Sequence, residues 1–467
     1  MDNELLRVTN VSISELFGIY DHKFTLNSED RITILHGPNG VGKTILLKCI
    51  SALFNGHYSF LRKTPFKTFV VALSDQSQIT IHRKVIKGQV ARRKGKGDLS
   101  RVELVAEVRA SDHSKLSFPI TQLSDVEHLA KFVEQNSPYI YQAGENTWLD
   151  RRTDRLYSSE ELVEANPSLI GNNRAARLKE AEPEPLTAIR KRVKVSLIQT
   201  ERLAGGKVED WDFPHARMPT SSVNNYARQL QRQIEATLAQ YGRSAQQLDQ
   251  SFPQRLIQEH IVELELSELK RRMEKLEARQ HELSEIGLLE KVPARPFDPD
   301  SLDDADRAKI GPMTLYLLDS EKKISSFDGV AGRLKLLTDS ARNKFKNKTL
   351  SINKERGLQV TGAGEEVLEL DALSSGEQHE IVLMYELLFK TPPNSLVMID
   401  EPELSLHVAW QRLFLPELLS VSKTVGFDVI LATHSPFIVG GRLDLMIGLE
   451  MEGEDMQEVT GIRGIMG

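Results

Sequence analysis

One cysteine in 467 residues, Cys49, leaves no partner for an intramolecular disulfide. The amino terminus, MDNELL, lacks the basic-then-apolar pattern of a secretory leader, so a cytoplasmic location is expected. No apolar run approaches the roughly 20 residues of a membrane-spanning helix. A transport role would therefore place the membrane part on another chain, and no membrane partner is expected. Excess positive charge is also lacking: 60 basic against 66 acidic residues leave a net charge of −6. That balance argues against global electrostatic capture by nucleic acid but leaves local patches open. No internal repeat is visible, and the length suits two lobes with an inserted element.

Two local basic patches stand out. His82 to Lys96 holds Arg83, Lys84, Lys87, Arg92, Arg93, Lys94 and Lys96 without an acid, and Arg190, Lys191, Arg192 and Lys194 form a second cluster. Either suits duplex DNA, an acidic protein such as a viral DNA mimic, or a solvated loop.

Hydrophobic patterning divides the chain into three: 1–200, 201–348 and 349–467. Strand signals at Leu5 to Ile13 and Arg31 to His36 precede a helical pattern from Ile45 to Phe54. Short strand signals follow at Phe69 to Leu73, Gln78 to Arg83, Val102 to Arg109, Tyr139 to Tyr141 and Val193 to Ile198. They read as an antiparallel β lobe with helical pieces near 122–135, 158–165 and 170–181. The middle third is helical and charged. Val262, Leu266, Leu269, Met273, Leu276 and Leu283 step by threes and fours, with Gln280 as the polar member. A second series, Ile324, Phe327, Ala331, Leu334, Ala341 and Phe345, follows the breakers Pro293, Pro296, Gly311 and Pro312. The two series are expected to pack as an antiparallel hairpin within a compact helical or short coiled-coil lobe. In the last third, strands at Leu350 to Asn353, Gly357 to Val360 and Val367 to Leu370 precede alternating helices and strands: Ser375 to Phe389, Ser395 to Asp400, Leu406 to Ser420 and Phe427 to Thr433.

Four short motifs carry chemistry. GPNGVGKT, comprising Gly37, Pro38, Asn39, Gly40, Val41, Gly42, Lys43 and Thr44, sits between a strand and a helix. Its glycines let backbone N–H groups converge on phosphate oxygens, Lys43 can reach the β and γ phosphates, and Thr44 can ligate Mg²⁺. SLVMID ends in Asp400 and is followed by Glu401. A buried strand with two acids at its carboxyl end suits Asp400 to the Mg²⁺ shell and Glu401 to orienting or deprotonating the attacking water. LSSGEQ opens a helix with Ser374, Ser375, Gly376 and Glu377; taken alone the pattern reads as an ordinary N-terminal cap, and its place in the order of the motifs makes it a second phosphate site. THSP places His434 at a strand end, where an imidazole can donate to a phosphate or its attacking water. Gln199, in SLIQTERL, is a further candidate for the Mg²⁺ shell.

In this order the motifs resemble the ABC-type ATPases, in the branch shared by recombination, SMC-like and overcoming-lysogenization-defect proteins. The resemblance covers both ends of the chain and implies an α/β core with a mixed sheet, with ATP and Mg²⁺ as cofactors. It implies that Lys43, Thr44, Asp400, Glu401 and His434 face ATP in one subunit while Ser374, Ser375 and Gly376 face it from a second copy, in an ATP-sandwich homodimer. LSSGEQ in place of LSGGQ, and the long separation of Lys43 from Leu373, point away from transporter cassettes. GIYDH, NTWLDRRT, SLIQTERL and QQLDQSFPQRLI further resemble antiphage-defence ATPases of the AriA type from PARIS systems and, next, the PtuA type from Septu. That likeness implies a homo-oligomer that holds a separate effector nuclease and answers a phage-encoded trigger. The stretch after His434 is expected to be too short for a built-in nuclease. The competing expectation is an SMC-like repair or DNA-structuring ATPase that binds duplex DNA itself.

Overall fold

A computed structural model describes residues 5–86, 101–111, 114–120, 126–144, 147–151, 155–166, 169, 184–199, 222–258, 263–290, 307–404 and 406–449. The chain forms two compact units: Met1–Arg217 with Thr391–Gly467, and Met218–Lys390 between them in sequence. The helical piece expected at 170–181, Val262, and the basic residues Lys87, Arg92, Arg93, Lys94 and Lys96 lie outside the described residues.

Parallel and antiparallel pairing in the first unit is divided between separate sheets. Five strands pair wholly in parallel, in the order Val195–Gln199, Leu396–Asp400, Asp428–Ala432, Ile32–His36, Met446–Gly448. Leu396–Asp400 and Asp428–Ala432 are buried at every residue. Their apolar runs, Leu396–Ile399 and Val429–Ala432, are what a strand covered on both faces requires.

A six-stranded antiparallel sheet runs in the order Tyr20–Thr25, Val8–Leu16, Thr68–Leu73, Gln78–Ile86, Arg101–Arg109, Lys115–Ile120. Here the pattern alternates instead. Phe69, Val71 and Leu73 point inward, and Phe69 pairs with Ile81 as Val71 does with Ile79. These side chains join one core with Leu46, Leu47, Ile50 and Leu53 from the helix Lys43–Asn55. A smaller cluster about Trp148, whose Nε1 donates to Ser159 Oγ at 2.9 Å, holds the meander Ile140–Gly144, Thr147–Asp150, Arg155–Ser158.

The antiparallel lobe is therefore present, with one correction. The segment expected from Val193 to Ile198 as part of that lobe is an edge strand of the parallel sheet, beside Leu396–Asp400. Strand propensity cannot tell the two apart, because pairing direction is set by what the chain packs against. Tyr20–Thr25 and Met446–Gly448 are strands that the pattern did not suggest.

The second unit is helical around a small sheet. Ser222–Gln258 is a 37-residue helix, followed by Leu266–Glu285, Arg307–Ile324 and Asp328–Lys344. Three antiparallel strands, Lys348–Asn353, Gly357–Gly362 and Val367–Leu368, come before the helix Ser375–Tyr385, which ends in a π-helical turn, Glu386–Lys390. Gly357, at φ 76°, lies so near the long helix that a Cβ would stand 2.1 Å from the Ala227 carbonyl oxygen.

Two expectations for this unit are corrected. Gly311 and Pro312 do not break the chain but lie inside Arg307–Ile324, near its start, where a proline removes one hydrogen bond and little of the ladder precedes it. The two apolar series also do not form an antiparallel hairpin. The Leu264 amide donates to Thr314 Oγ1, Arg272 pairs with Glu321, Arg279 with Asp328 and Lys335 with Glu282. The partner number rises along with the residue number, so these helices run parallel. Arg307–Ile324 is instead antiparallel to the long helix, through Asp249 with Lys323 and Arg255 with Asp319.

Candidate functional site

The sheet delivers the motifs to one edge. The adjacent parallel strands end, in spatial order, at Gln199, at Asp400 with Glu401, just before Thr433 and His434, and at His36 before the glycine-rich loop. The carboxyl edge of an open parallel sheet is where ligands of α/β folds bind.

The loop's shape requires its glycines. Gly40 and Gly42 have φ 89° and 92°, a left-handed conformation that disfavours any side chain. Gly42 caps the helix Lys43–Asn55, and a Cβ on it would stand 2.6 Å from Leu16 Cδ2. A Cβ on Gly40 would meet nothing within 4 Å, so the loop's middle faces open space. From below, His22 Nε2 donates to the Val41 carbonyl at 2.7 Å. A carbonyl only accepts, so this contact fixes the proton of the buried ring on Nε2.

Lys43 is only 5% exposed and donates to the carbonyls of Gly37 at 2.9 Å and Pro38 at 3.0 Å. Burial holds its ammonium below the usual lysine range, opposed by the carboxylates of Glu401, Asp400 and Glu403. Thr44 Oγ1 donates to Asp400 Oδ1 at 3.1 Å. Burial raises the Asp400 carboxyl above its ordinary range, a shift that the Thr44 hydrogen bond opposes and the neighbouring Glu401 reinforces. A cation at this oxygen pair would reverse that balance. The backbone of Gln199 pairs in register with that of Asp400.

Glu401 has φ 48°, a conformation that costs a non-glycine residue about 1 kcal/mol or more. Its amide donates to the Ala432 carbonyl at 2.8 Å, and its Oε1 lies 4.0 Å from His434 Nε2. Burial and the Lys43 charge lower the His434 imidazole, and the two glutamates partly oppose them. His36, at the end of the neighbouring strand, places its ring centroid 6.5 Å from that of His434.

Sequence reasoning missed three residues here. Glu403 accepts from the Thr433 hydroxyl at 2.8 Å and from the His434 amide at 2.6 Å. Gln411 accepts from Ser435 Oγ at 2.7 Å and donates to the carbonyls of Glu403 and Leu406. His22 supports the loop. Glu403 had a signal, a third acid one proline beyond Asp400 and Glu401, and His22 closes the GIYDH stretch, though neither was assigned a role; Gln411 had no signal.

The remaining motif, Ser374 to Glu377, belongs to the second unit. Ser374 and Glu377 form a capping box: the Ser374 amide and hydroxyl each donate to Glu377 Oε2 at 2.8 Å, and the Glu377 amide donates to Ser374 Oγ at 3.4 Å. Lys348 Nζ donates to the same carboxylate at 2.8 Å. Burial alone would raise Glu377, but Lys348 and Ser374 hold its carboxyl below the usual range. Ser374 and Ser375 are exposed and Gly376 half-buried.

The second basic cluster is partly spent on structure. Arg190 Nε donates to the Phe54 carbonyl at 2.9 Å, at the end of the helix Lys43–Asn55, and Arg192 lies 3.8 Å from Asp75. Among the described residues no helix is long and apolar enough to cross a membrane.

Residues 8–439 match the family AAA_15, described as AAA ATPase domain. No curated protein matches the chain. Among solved structures it is similar to the Smc head domain with an extended coiled coil, bound to the C-terminal domain of ScpA, from Pyrococcus furiosus: 11% identity, 96% of this chain and 94% of that one, TM-score 0.33. The SMC head domain from Thermotoga maritima is similar at 10% identity, over 95% and 94% of the two chains, with a TM-score of 0.31. Scores of that size support no inference about ligand or assembly.

Proposed function

The chain belongs to the AAA_15 family of AAA ATPase domains, and from that premise we propose that it binds Mg-ATP on the loop Gly37–Thr44 and hydrolyses it to ADP and phosphate. The observation that carries this reading is the meeting of Thr44 with Asp400 at 3.1 Å, beside Lys43, Glu401 and His434.

The backbone amides of the loop and the start of the helix Lys43–Asn55 bind the phosphates, and Lys43 exchanges its contacts with Gly37 and Pro38 for phosphate oxygens. Thr44 Oγ1 and Asp400 Oδ1 are hard oxygen donors suited to Mg²⁺. Among the described residues no group of three or more His, Cys, Asp and Glu could hold a metal alone. That fits an ion kept by one or two protein oxygens and by phosphate. Mg²⁺ there supplies neutralisation of charge on the phosphates. Glu401 accepts a proton from, or orients, the attacking water, and His434, kept neutral, donates a hydrogen bond to the transferring phosphate. Gln199, in register with Asp400, is proposed as an outer member of the metal shell.

Exposed Ser374, Ser375 and Gly376 from a second copy complete the proposed site by capping the γ-phosphate. Glu401→Gln tests both parts. It should keep ATP affinity, abolish turnover and lengthen the life of an ATP-dependent dimer, read by size-exclusion chromatography with light scattering. Normal turnover by that variant would defeat the assignment.

The likeness of GIYDH, NTWLDRRT, SLIQTERL and QQLDQSFPQRLI to defence ATPases supports a finer reading, in which the ATP state governs a separate effector nuclease in antiphage defence. Affinity capture of the Glu401→Gln chain from its native host should recover a nuclease. Recovery of none, with salt-sensitive binding of duplex DNA by the chain itself, would instead support the DNA-structuring reading.

A further inference from the structure

Among the described residues the His434 ring has only loose neighbours, with the His36 ring 6.5 Å away between centroids. The His434 ring is about one-third exposed, and the nearest carboxylate oxygen, on Glu401, is 4.0 Å away. What fixes the residue is its backbone. The His434 amide donates to Glu403 Oε1 at 2.6 Å, and the Thr433 hydroxyl before it donates to Glu403 Oε2 at 2.8 Å. The Ser435 amide then donates to Thr433 Oγ1 at 3.0 Å, closing the turn. One carboxylate thus grips two consecutive residues just past the end of the strand Asp428–Ala432, the first of which ties in Ser435. It does so from the short 3-10 turn Pro402–Leu404, which begins one residue after Glu401. Gln411 fastens the same two loops from the helix Val408–Val425.

We propose that Glu403 is a positioning residue for hydrolysis, setting the distance between His434 and Glu401 by holding the histidine loop to the turn that follows Glu401. This rests on the ATPase reading above and adds a residue that acts through His434. The geometry supports it in two ways. Both carboxylate oxygens are committed to the histidine loop, and an N–H or O–H bonded to a charged acceptor is stronger and shorter than a neutral pair. Glu403 and Glu401 are also separated only by a proline, whose fixed φ leaves the link between them little freedom.

Two measurements on the full chain test this. The first needs no nucleotide: hydrogen exchange of the segment spanning Thr433 to Phe437. Glu403→Ala should accelerate exchange of the His434 and Ser435 amides. Glu403→Gln should restore most protection, because its oxygen can accept from His434 while its amide donates to Thr433 Oγ1. The second is a double-mutant cycle in ATP turnover. His434→Ala should lower kcat by roughly a hundredfold, Glu403→Ala by a similar factor with Kd for ATP unchanged, and the pair by no more than the larger single loss. Glu403→Gln should stay within about threefold of wild type, the partial rescue expected of a neutral hydrogen-bonding replacement. Multiplied losses in the double variant, unaltered exchange in Glu403→Ala, or full activity of Glu403→Ala would each overturn the proposal. A wild-type chain that binds no ATP would overturn the parent reading as well.

Discussion

Thr44 and Asp400 stand 356 positions apart in the chain, yet the threonine hydroxyl donates to the aspartate at 3.1 Å. The contact joins the first residues of a helix to the last residue of a strand two places away in the same sheet. Neither residue is a site alone: a threonine oxygen is a weak metal ligand, and burial raises the carboxyl of Asp400 above its ordinary range, disfavouring an unpaired charge there. Together they form an oxygen pair beside a phosphate-binding loop.

Lys43→Ala should weaken ATP binding by roughly tenfold or more, the size of a lost charge-assisted hydrogen bond. Titration with a fluorescent ATP analogue reads it. The carbonyls of Gly37 and Pro38 lose their donor in this variant, so a thermal melt should accompany the titration. Unchanged affinity would remove Lys43 from the site.

Glu401→Gly separates stability from activity. The left-handed backbone at φ 48° suits glycine, so the variant should gain about 1 kcal/mol while losing turnover. A higher melting temperature with no phosphate release is the expected pair of results; a lower melting temperature would show that relief of the backbone does not outweigh glycine's freedom in the unfolded chain and the lost side chain.

Acid should destabilise the first unit through His57. Burial, and then the charge of Arg190, push this imidazole down to about 4 from an ordinary 6.5. Between those values the unfolded chain takes up a proton that the folded chain refuses, so the contribution is complete above pH 6.5 and is lost as pH falls toward 4. At about 1.4 kcal/mol per unit the full loss is about 3 kcal/mol. Denaturant melts from pH 7 to 4 should show this slope, and His57→Gln should flatten it.

Arg190→Ala should cost about 1 to 3 kcal/mol, because the guanidinium is a cation bonded to a carbonyl at the end of the helix that begins at Lys43. A denaturant melt measures the loss. The same variant should leave any duplex DNA binding by the chain unchanged; a large drop in binding with no loss of stability would return Arg190 to a phosphate-contacting role.

Legibility followed the range of the physics. The loop Gly37–Thr44 was readable because its constraints are local: left-handed glycines, a helix start and a lysine at fixed spacing. Leu396–Asp400 was readable as a buried strand because five apolar or terminal residues in a row leave few other places for it. Glu403 was not singled out, since its role lies in a bond to an amide 31 positions later. The parallel run of the helices Leu266–Glu285 and Arg307–Ile324 was also hidden. Heptad-like spacing states that a face is apolar, not which way its partner runs.

The sequence by itself determined the chemistry available: a phosphate-binding turn, two acids at the end of a buried strand, a histidine at the end of another, and a capped helix start. Each follows from conformational preferences and hydrogen-bonding capacity that act within a few residues. Only the tertiary structure decided that Val195–Gln199 lies parallel to the acid-bearing strand, that Thr44 meets Asp400, and that Glu403 holds His434. Those outcomes depend on which strands become neighbours, and that choice is made by burial across the whole sheet.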